Sequence, residues 1–262
     1  DTLAACRNAA PGETTMPAGL EDMFAQQRAS LVGPAAAERR AMVIAAHPDD
    51  ADFGAAGTAA LLARDGWAVR YVVATDGSKG SDNPADTPDG LADTRAEEQR
   101  AAAKLLGVQS VGFLGFIDGE LERSRALVGA ITRELRTFRP FAVYTHDPEP
   151  LFVFDAIVNH SDHRATGYGT VDAVYPAARD RLNFPEQIAE GLEPHHVREV
   201  YLFGSNQPNF ESDITTVIES KLAAMRAHAS QFSEEFLARM PDFWREPDGR
   251  YIERFRRIQL LF

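Results

Sequence analysis

Two short runs concentrate histidine and aspartate in this chain: His47-Pro48-Asp49-Asp50 and His160-Ser161-Asp162-His163. Imidazole and carboxylate are the donors zinc accepts in open catalytic sites, which keep a position for water. His47 and Asp50 stand three apart across a turn that Pro48 stiffens, so both can point at one ion. Asp49 is then left for a separate task. A metal lowers the pKa of water toward about 7, and an adjacent carboxylate can take its proton during attack. In the second run His160 and His163 share a helix face at i, i+3 spacing, so one can ligate while the other faces a substrate. Asp162 either caps the helix or bonds an imidazole and fixes its tautomer. Helix capping is the competing account of any single aspartate here; a histidine with two acids on one strand end is harder to explain that way.

These residues need a frame that brings them together. The apolar run 41–46 reads as a buried strand, and 54–65 follows as a helix stopped at Gly66. A second strand is expected at 68–75, then a long loop at 75–90 dense in turn formers. Helices are expected at 94–106, 123–138, 162–178 and 213–229, the last with Asp213 as N-cap, and strands at 110–114, 141–146 and 198–203. Alternating strands and helices argue for a parallel sheet covered on both faces. The polar clusters then gather where such sheets carry their sites, beyond the carboxyl ends of the strands. His47 to Asp50 follow strand one, Thr75-Asp76 strand two, Asp118 strand three and His146-Asp147 strand four. A dinucleotide-binding protein would place glycines after strand one, and two adjacent carboxylates would repel a pyrophosphate.

Composition narrows the classes further. The chain has 262 residues, 44% apolar and 25% charged, with a net charge of −12. A field of that sign disfavours nucleic acid and anionic membranes. The single cysteine, Cys6, excludes an internal disulfide and a cysteine-built zinc site. No apolar run would span a bilayer, and residues 1–15 lack the apolar stretch of a signal peptide, so a cytoplasmic location is expected. Residues 1–40 read as an N-terminal arm with a helix around 20–31, and 41–262 as a single catalytic α/β domain. His195-His196 read as surface, and the aromatic residues of 232–262 as packing.

Together, Ala46-His47-Pro48-Asp49-Asp50 and His160-Ser161-Asp162-His163 resemble the LmbE-like, or PIG-L, family of zinc N-deacetylases. Gly57-Thr58, Arg95 with Glu98, Leu106-Gly107-Val108, Lys221 and His228-x-Ser230-Gln231 match as well, and the likeness covers 41–232. It implies a Rossmann-like three-layer α/β fold with a mostly parallel sheet and helices on both faces. It also implies one Zn2+ per chain held by His47, Asp50 and His163, although other divalent ions fit the same donors. Asp49 becomes the general base and later the acid for the leaving amine. His160, protonated, stabilises the oxyanion, and Asp162 supports that charge. Arg95 matches a position that contacts the substrate sugar, and Asp118 and His146 join it as substrate candidates. The implied partner is a small N-acetylated amino sugar or conjugate, with no nucleic acid or membrane; a homo-oligomer is compatible with the sequence. Many family members carry Glu after the two aspartates where this chain has Ala51-Asp52. That departure, with the long run between His146 and His160, bears on substrate contacts. Two rivals are a non-haem Fe(II) oxygenase, which uses a similar set of two histidines and one carboxylate, and a catalytically silent sugar-binding module.

Overall fold

Small and branched apolar residues make β1 (Arg40–Ala45) a strand buried on both faces. Ala41, Val43 and Ala45 point into one core, Met42 and Ile44 into the other. The computed structural model describes residues 22–23 and 33–261; the helix expected at 20–31 lies, Asp22 and Met23 apart, outside the described residues. After β1 come α1 (Asp50–Arg64), β2 (Ala68–Thr75), α2 (Pro88–Leu105), β3 (Ser110–Phe116), α3 (Arg125–Phe138) and β4 (Ala142–His146). A small hairpin of β5 (Phe152–Val153) and β6 (Ile157–Val158) precedes α4 (Ser161–Asp172), α5 (Pro185–Ala189) and β7 (Glu199–Phe203). Then follow β8 (Phe210–Asp213), α6 (Ile218–Arg226), α7 (Glu234–Trp244) and β9 (Ile252–Gln259).

Seven strands form one sheet in the order β3-β2-β1-β4-β7-β9-β8. The first five are parallel, and β9 runs antiparallel to both its neighbours. Ala55 and Ala59 of α1 and Leu222 and Met225 of α6 pack on one face. Leu127, Ile131 and Leu135 of α3, with Ala165 of α4, pack on the other. The expected three-layer, mostly parallel architecture is what forms. After β3 the chain crosses back over β1 to add β4, and this reversal opens a crevice at the carboxyl ends of β1 and β4. Among the described residues no helix is long and apolar enough to cross a membrane.

Several boundaries differ from the sequence expectation for local reasons. α2 begins at Pro88 rather than 94, because the Thr87 hydroxyl accepts from Gly90 N at 3.2 Å and proline suits the first helical position. α4 ends at Asp172 rather than running to 178. Tyr175, ahead of Pro176, is extended at φ −148°, as the residue before proline prefers. The helix expected at 213–229 starts only at Ile218. Asp213 closes β8, and its carboxylate accepts from Thr215 N and Oγ1 at 3.0 and 2.6 Å, just ahead of a short 3-10 turn at Thr215–Val217. The aromatic tail does pack, but as α7 and β9.

α1 is anchored by charges buried beneath it. Fully buried Lys221 donates to the Asp52 and Phe53 carbonyls and to Glu253 Oε1, at 2.8, 2.7 and 2.7 Å. Glu253, on β9, also accepts from Gly57 N, Thr58 N and Thr58 Oγ1. A Cβ at Gly57 would lie 2.6 Å from Ile214 Cγ2, which is why a glycine stands there. Removing one partner of a buried ion pair strands the other. Lys221→Met should therefore lower stability by about 3–5 kcal/mol in chemical denaturation. A parental unfolding midpoint would refute the anchoring role.

Candidate active site

The turn from β1 into α1 holds the site's most unusual backbone. Asp49 has φ 118° and ψ −33°, a conformation a residue with a side chain adopts only when its surroundings enforce it. Three contacts do so. Asp49 N donates to Gln99 Oε1 at 3.0 Å, and Arg95 Nη2 donates to Pro48 O at 2.7 Å and to Asp49 Oδ2 at 3.1 Å. The Asp49 carbonyl accepts from Asp52 N and Phe53 N, starting α1. Burial, and then the charge of Asp50, push the Asp49 carboxyl up to about 7, against the opposing pull of Arg95, His228 and His47.

Asp50 bridges the two histidine runs. Its Oδ2 lies 3.1 Å from His47 Nδ1 and its Oδ1 3.2 Å from His163 Nε2. Burial opposes its ionisation, but His163 and His146 hold the carboxyl well below its ordinary value. On the other side of the His47 ring, Nε2 lies 3.1 Å from Asp118 Oδ1 and 3.2 Å from Asp162 Oδ2. Burial works to lower His47, yet hydrogen bonds to Asp118, Asp162 and Asp50 carry it up to about 12. At Asp118 burial pushes the carboxyl up, but the hydrogen bond and charge of His47, with the Lys79 N–H, outweigh it and bring it down to about 2.

The start of α4 resolves the alternatives open at Asp162. The helix is capped by His160, whose Nδ1 accepts from Asp162 N at 3.2 Å. Asp162 itself is fully buried, accepts from Gly119 N at 2.7 Å and faces His47, while its Oδ1 is 4.0 Å from His160 Nδ1. It supports His47 more closely than His160. Burial, His47 and His163 all lower the His160 pKa. With Nδ1 turned to Asp162 N, Nε2 is the ring nitrogen left to face a substrate.

The remaining expected residues converge here with different partners. Arg95 is buried and spends its guanidinium on Pro48 O, Asp49 and Gly77 O. Asp118 is buried against His47 and accepts from Lys79 N. His146 is buried at the end of β4. It stacks on His163 with ring centres 4.1 Å apart, and its Nε2 accepts from Ala46 N at 3.1 Å. Burial and His163 bring it down to about 4, consistent with that accepting role. His195, expected at the surface, is buried with Nε2 donating to Pro140 O at 2.7 Å; His196 is exposed.

Asp52, at the Ala51-Asp52 departure, is fully buried and makes no substrate wall. Its Oδ2 accepts from Gln99 Nε2 at 2.6 Å and pairs with His228 Nε2 at 2.8 Å. Gln99 thereby links this buried pair to the Asp49 backbone. Gln99 went unread in the sequence, although a signal existed: it lies four residues after Arg95 on the face of α2 that also buries Leu91, Ala102 and Ala103. Ser230 closes the same wall by donating from N and Oγ to Glu98.

The donor set suits a divalent cation. Among the described residues, three groups each bring one ligand atom per residue within 4.8 Å of one another: His47, His160 and His163; Asp50, His146 and His163; and His47, Asp118 and Asp162. The expected trio His47, Asp50 and His163 spans the first two groups, joined through the two oxygens of Asp50. All donors are nitrogen or oxygen, the chemistry of an open zinc site. His146 is a poorer ligand while its Nε2 accepts from Ala46 N.

Comparison with known proteins identifies the family. Residues 42–174 match the family model "PIG-L: GlcNAc-PI de-N-acetylase". A diacetylchitobiose deacetylase from Thermococcus kodakarensis is 36% identical over 197 residues, spanning 75% of this chain and 72% of that protein. A 1D-myo-inositol 2-acetamido-2-deoxy-alpha-D-glucopyranoside deacetylase from a Mycobacterium species is 29% identical, over 74% of each. The solved structure of N,N'-diacetylchitobiose deacetylase from Pyrococcus horikoshii, bound to an inhibitor, superposes with a TM-score of 0.80 at 30% identity, covering 91% of this chain and 92% of that one. Half the chain matching the family model, and the extent of the likeness to the Thermococcus enzyme, place this chain in the PIG-L, or LmbE-like, family of N-deacetylases.

Proposed function

We propose that this protein is a zinc-dependent hydrolase that removes the acetyl group from an N-acetylated amino sugar or its conjugate, releasing acetate and a free amine. The observation that carries this is the placement of Asp49. Its carboxyl is poised near neutrality beside Asp50, which joins His47 to His163. A general base works best with a pKa near the working pH. The relatives named above act on N-acetylglucosamine-containing compounds, which supports the substrate class.

His47, Asp50 and His163 would hold the cation, which supplies Lewis acidity toward the amide carbonyl and toward water. Asp49 takes the proton of the attacking water as the new C–O bond forms. The His160 Nε2–H donates to the oxygen on which charge develops, where a preorganised donor counts most. Asp49 then returns the proton to nitrogen as the C–N bond breaks. Arg95 and Gln99 hold Asp49 in its strained geometry throughout, and Asp118 and Asp162 orient the His47 ring.

Asp49→Asn should lower kcat by at least about 10² while elemental analysis finds the parental metal content; full activity would overturn the base assignment. His163→Ala should lose bound metal, and unchanged zinc content would refute its place as a ligand. Amine and acetate release from N-acetylglucosamine compounds should persist under anaerobic conditions, stop on chelation and return with Zn2+. Dependence on oxygen would instead favour the iron oxygenase, and no release from any N-acetyl compound would favour a silent binding module.

A further inference from the structure

A cavity of about 510 Å3 opens directly beside the candidate site, within the size range of small-molecule pockets. Asp50, His146 and His163 line one part of it, and Asp147, Glu253 and Arg254 also border it, but most of its wall is apolar: Phe154, Ile157 and Val158 from the β5–β6 hairpin, Phe203 from β7, and Phe243 and Trp244 from α7. The hairpin is held in place over it. Asn206 accepts from Phe154 N and donates to Phe152 O, each at 2.9 Å, and Asn159 donates to Asp147 O and Pro150 O. Phe154 and Asp155 both take positive φ, at 55° and 51°, making the tight turn that aims the hairpin. Phe154, Ile157 and Val158 remain more than half exposed to solvent, so apolar surface stands in water next to the reacting groups.

We propose that this chamber receives the acyl chain of the substrate, and that the protein hydrolyses N-acyl amino sugars whose acyl group is longer than acetyl. The inference rests on the amide-hydrolase reading and follows from how an amide must lie in the site. Its carbonyl carbon carries three substituents and gains a fourth on attack. The attacking oxygen and the nitrogen must both reach Asp49, which moves the proton between them. The carbonyl oxygen must reach His160. The acyl carbon is therefore directed away from both, and the chamber is lined by neither Asp49 nor His160 while touching Asp50 and His163. The reaction balances as before: water adds to the carbonyl carbon, the C–N bond breaks, and a fatty carboxylate and a free amine leave.

The test uses the full chain loaded with Zn2+ and N-acyl glucosamines carrying acetyl, butanoyl, hexanoyl and octanoyl groups, read by amine release. A second series varies an alkyl or aryl aglycone on N-acetylglucosamine. The expected result is a rise in kcat/KM of about threefold for each methylene first added to the acyl chain. Phe154→Asp and Val158→Asp should each cut the octanoyl-to-acetyl ratio at least about tenfold, since they place charge in an apolar wall. A readout apart from turnover uses Trp244, the one indole left in a Trp67→Phe variant. Octanoate should perturb its fluorescence at concentrations at least about tenfold below acetate. A flat or falling acyl series on an enzyme that does cleave the acetyl compound overturns the proposal. So does a gain confined to the aglycone series, or hairpin variants that alter self-association while leaving the ratio unchanged. If no compound is cleaved, the hydrolase reading fails first, and octanoate indistinguishable from acetate at Trp244 then overturns the chamber assignment as well.

Discussion

Carboxylates crowded at the carboxyl edge of a sheet must each find a partner, and the rest of this structure is arranged around that demand. Asp50 is shared between His47 and His163, and Asp118 and Asp162 close on the far side of the same His47 ring. Asp52 pairs with His228 and Gln99 below the turn. Every partner comes from a different stretch of chain, so neutralising the cluster also fixes where α2, α4 and the end of α6 can lie. Asp49 is the least compensated member. It keeps one cation, Arg95, but sits beside Asp50 in a dry place. Its readiness to exchange a proton is the residue of an otherwise well-matched charge arrangement.

How far this was legible in the sequence depends on the range of the interaction. β1 and β2 read almost to the residue, because a buried parallel strand is a continuous apolar run between breakers. The two His/Asp runs read as a metal site because each is local and its spacing is its geometry. Boundaries set by a single side chain, such as Thr87 capping α2 or Pro176 ending α4, were misplaced by several residues. The contacts that determine roles were the least legible. The Ala51-Asp52 departure reads locally as a substrate-side change, yet the partner of Asp52, His228, lies 176 residues away. Arg95, which the resemblance matches to a sugar-contacting position, donates to Pro48 O, Asp49 and Gly77 O, at separations of 18 to 47 residues. Nothing in local pattern announces pairing at such separations.

The crevice is also divided by chemistry. On the Asp49 side the walls are charged and hydrogen-bonded, and rigid loops after β2 and β3 are tied through Asp76, which accepts from Ser78 N and Asp118 N. On the His146 side they are aromatic and aliphatic, contributed by a hairpin and a helix outside the parallel core. The candidate site thus lies on a boundary between a charged, hydrogen-bonded half and a mostly apolar one. Such a boundary strengthens electrostatic contacts on the polar side by lowering the local dielectric.

The late strand β9 carries a consequence for how the molecule is made. Glu253 reaches back 196 residues to the Gly57 amide and completes the partners of Lys221. During synthesis the parallel strands β1 to β4 and their helices emerge first and can pair as they appear. The polar groups under α1 nevertheless wait for almost the whole chain before they are satisfied. Gly57 and Thr58 therefore complete their buried hydrogen bonds only when β9 is in place, whereas the Asp49 turn is held by Arg95 and Gln99 of α2.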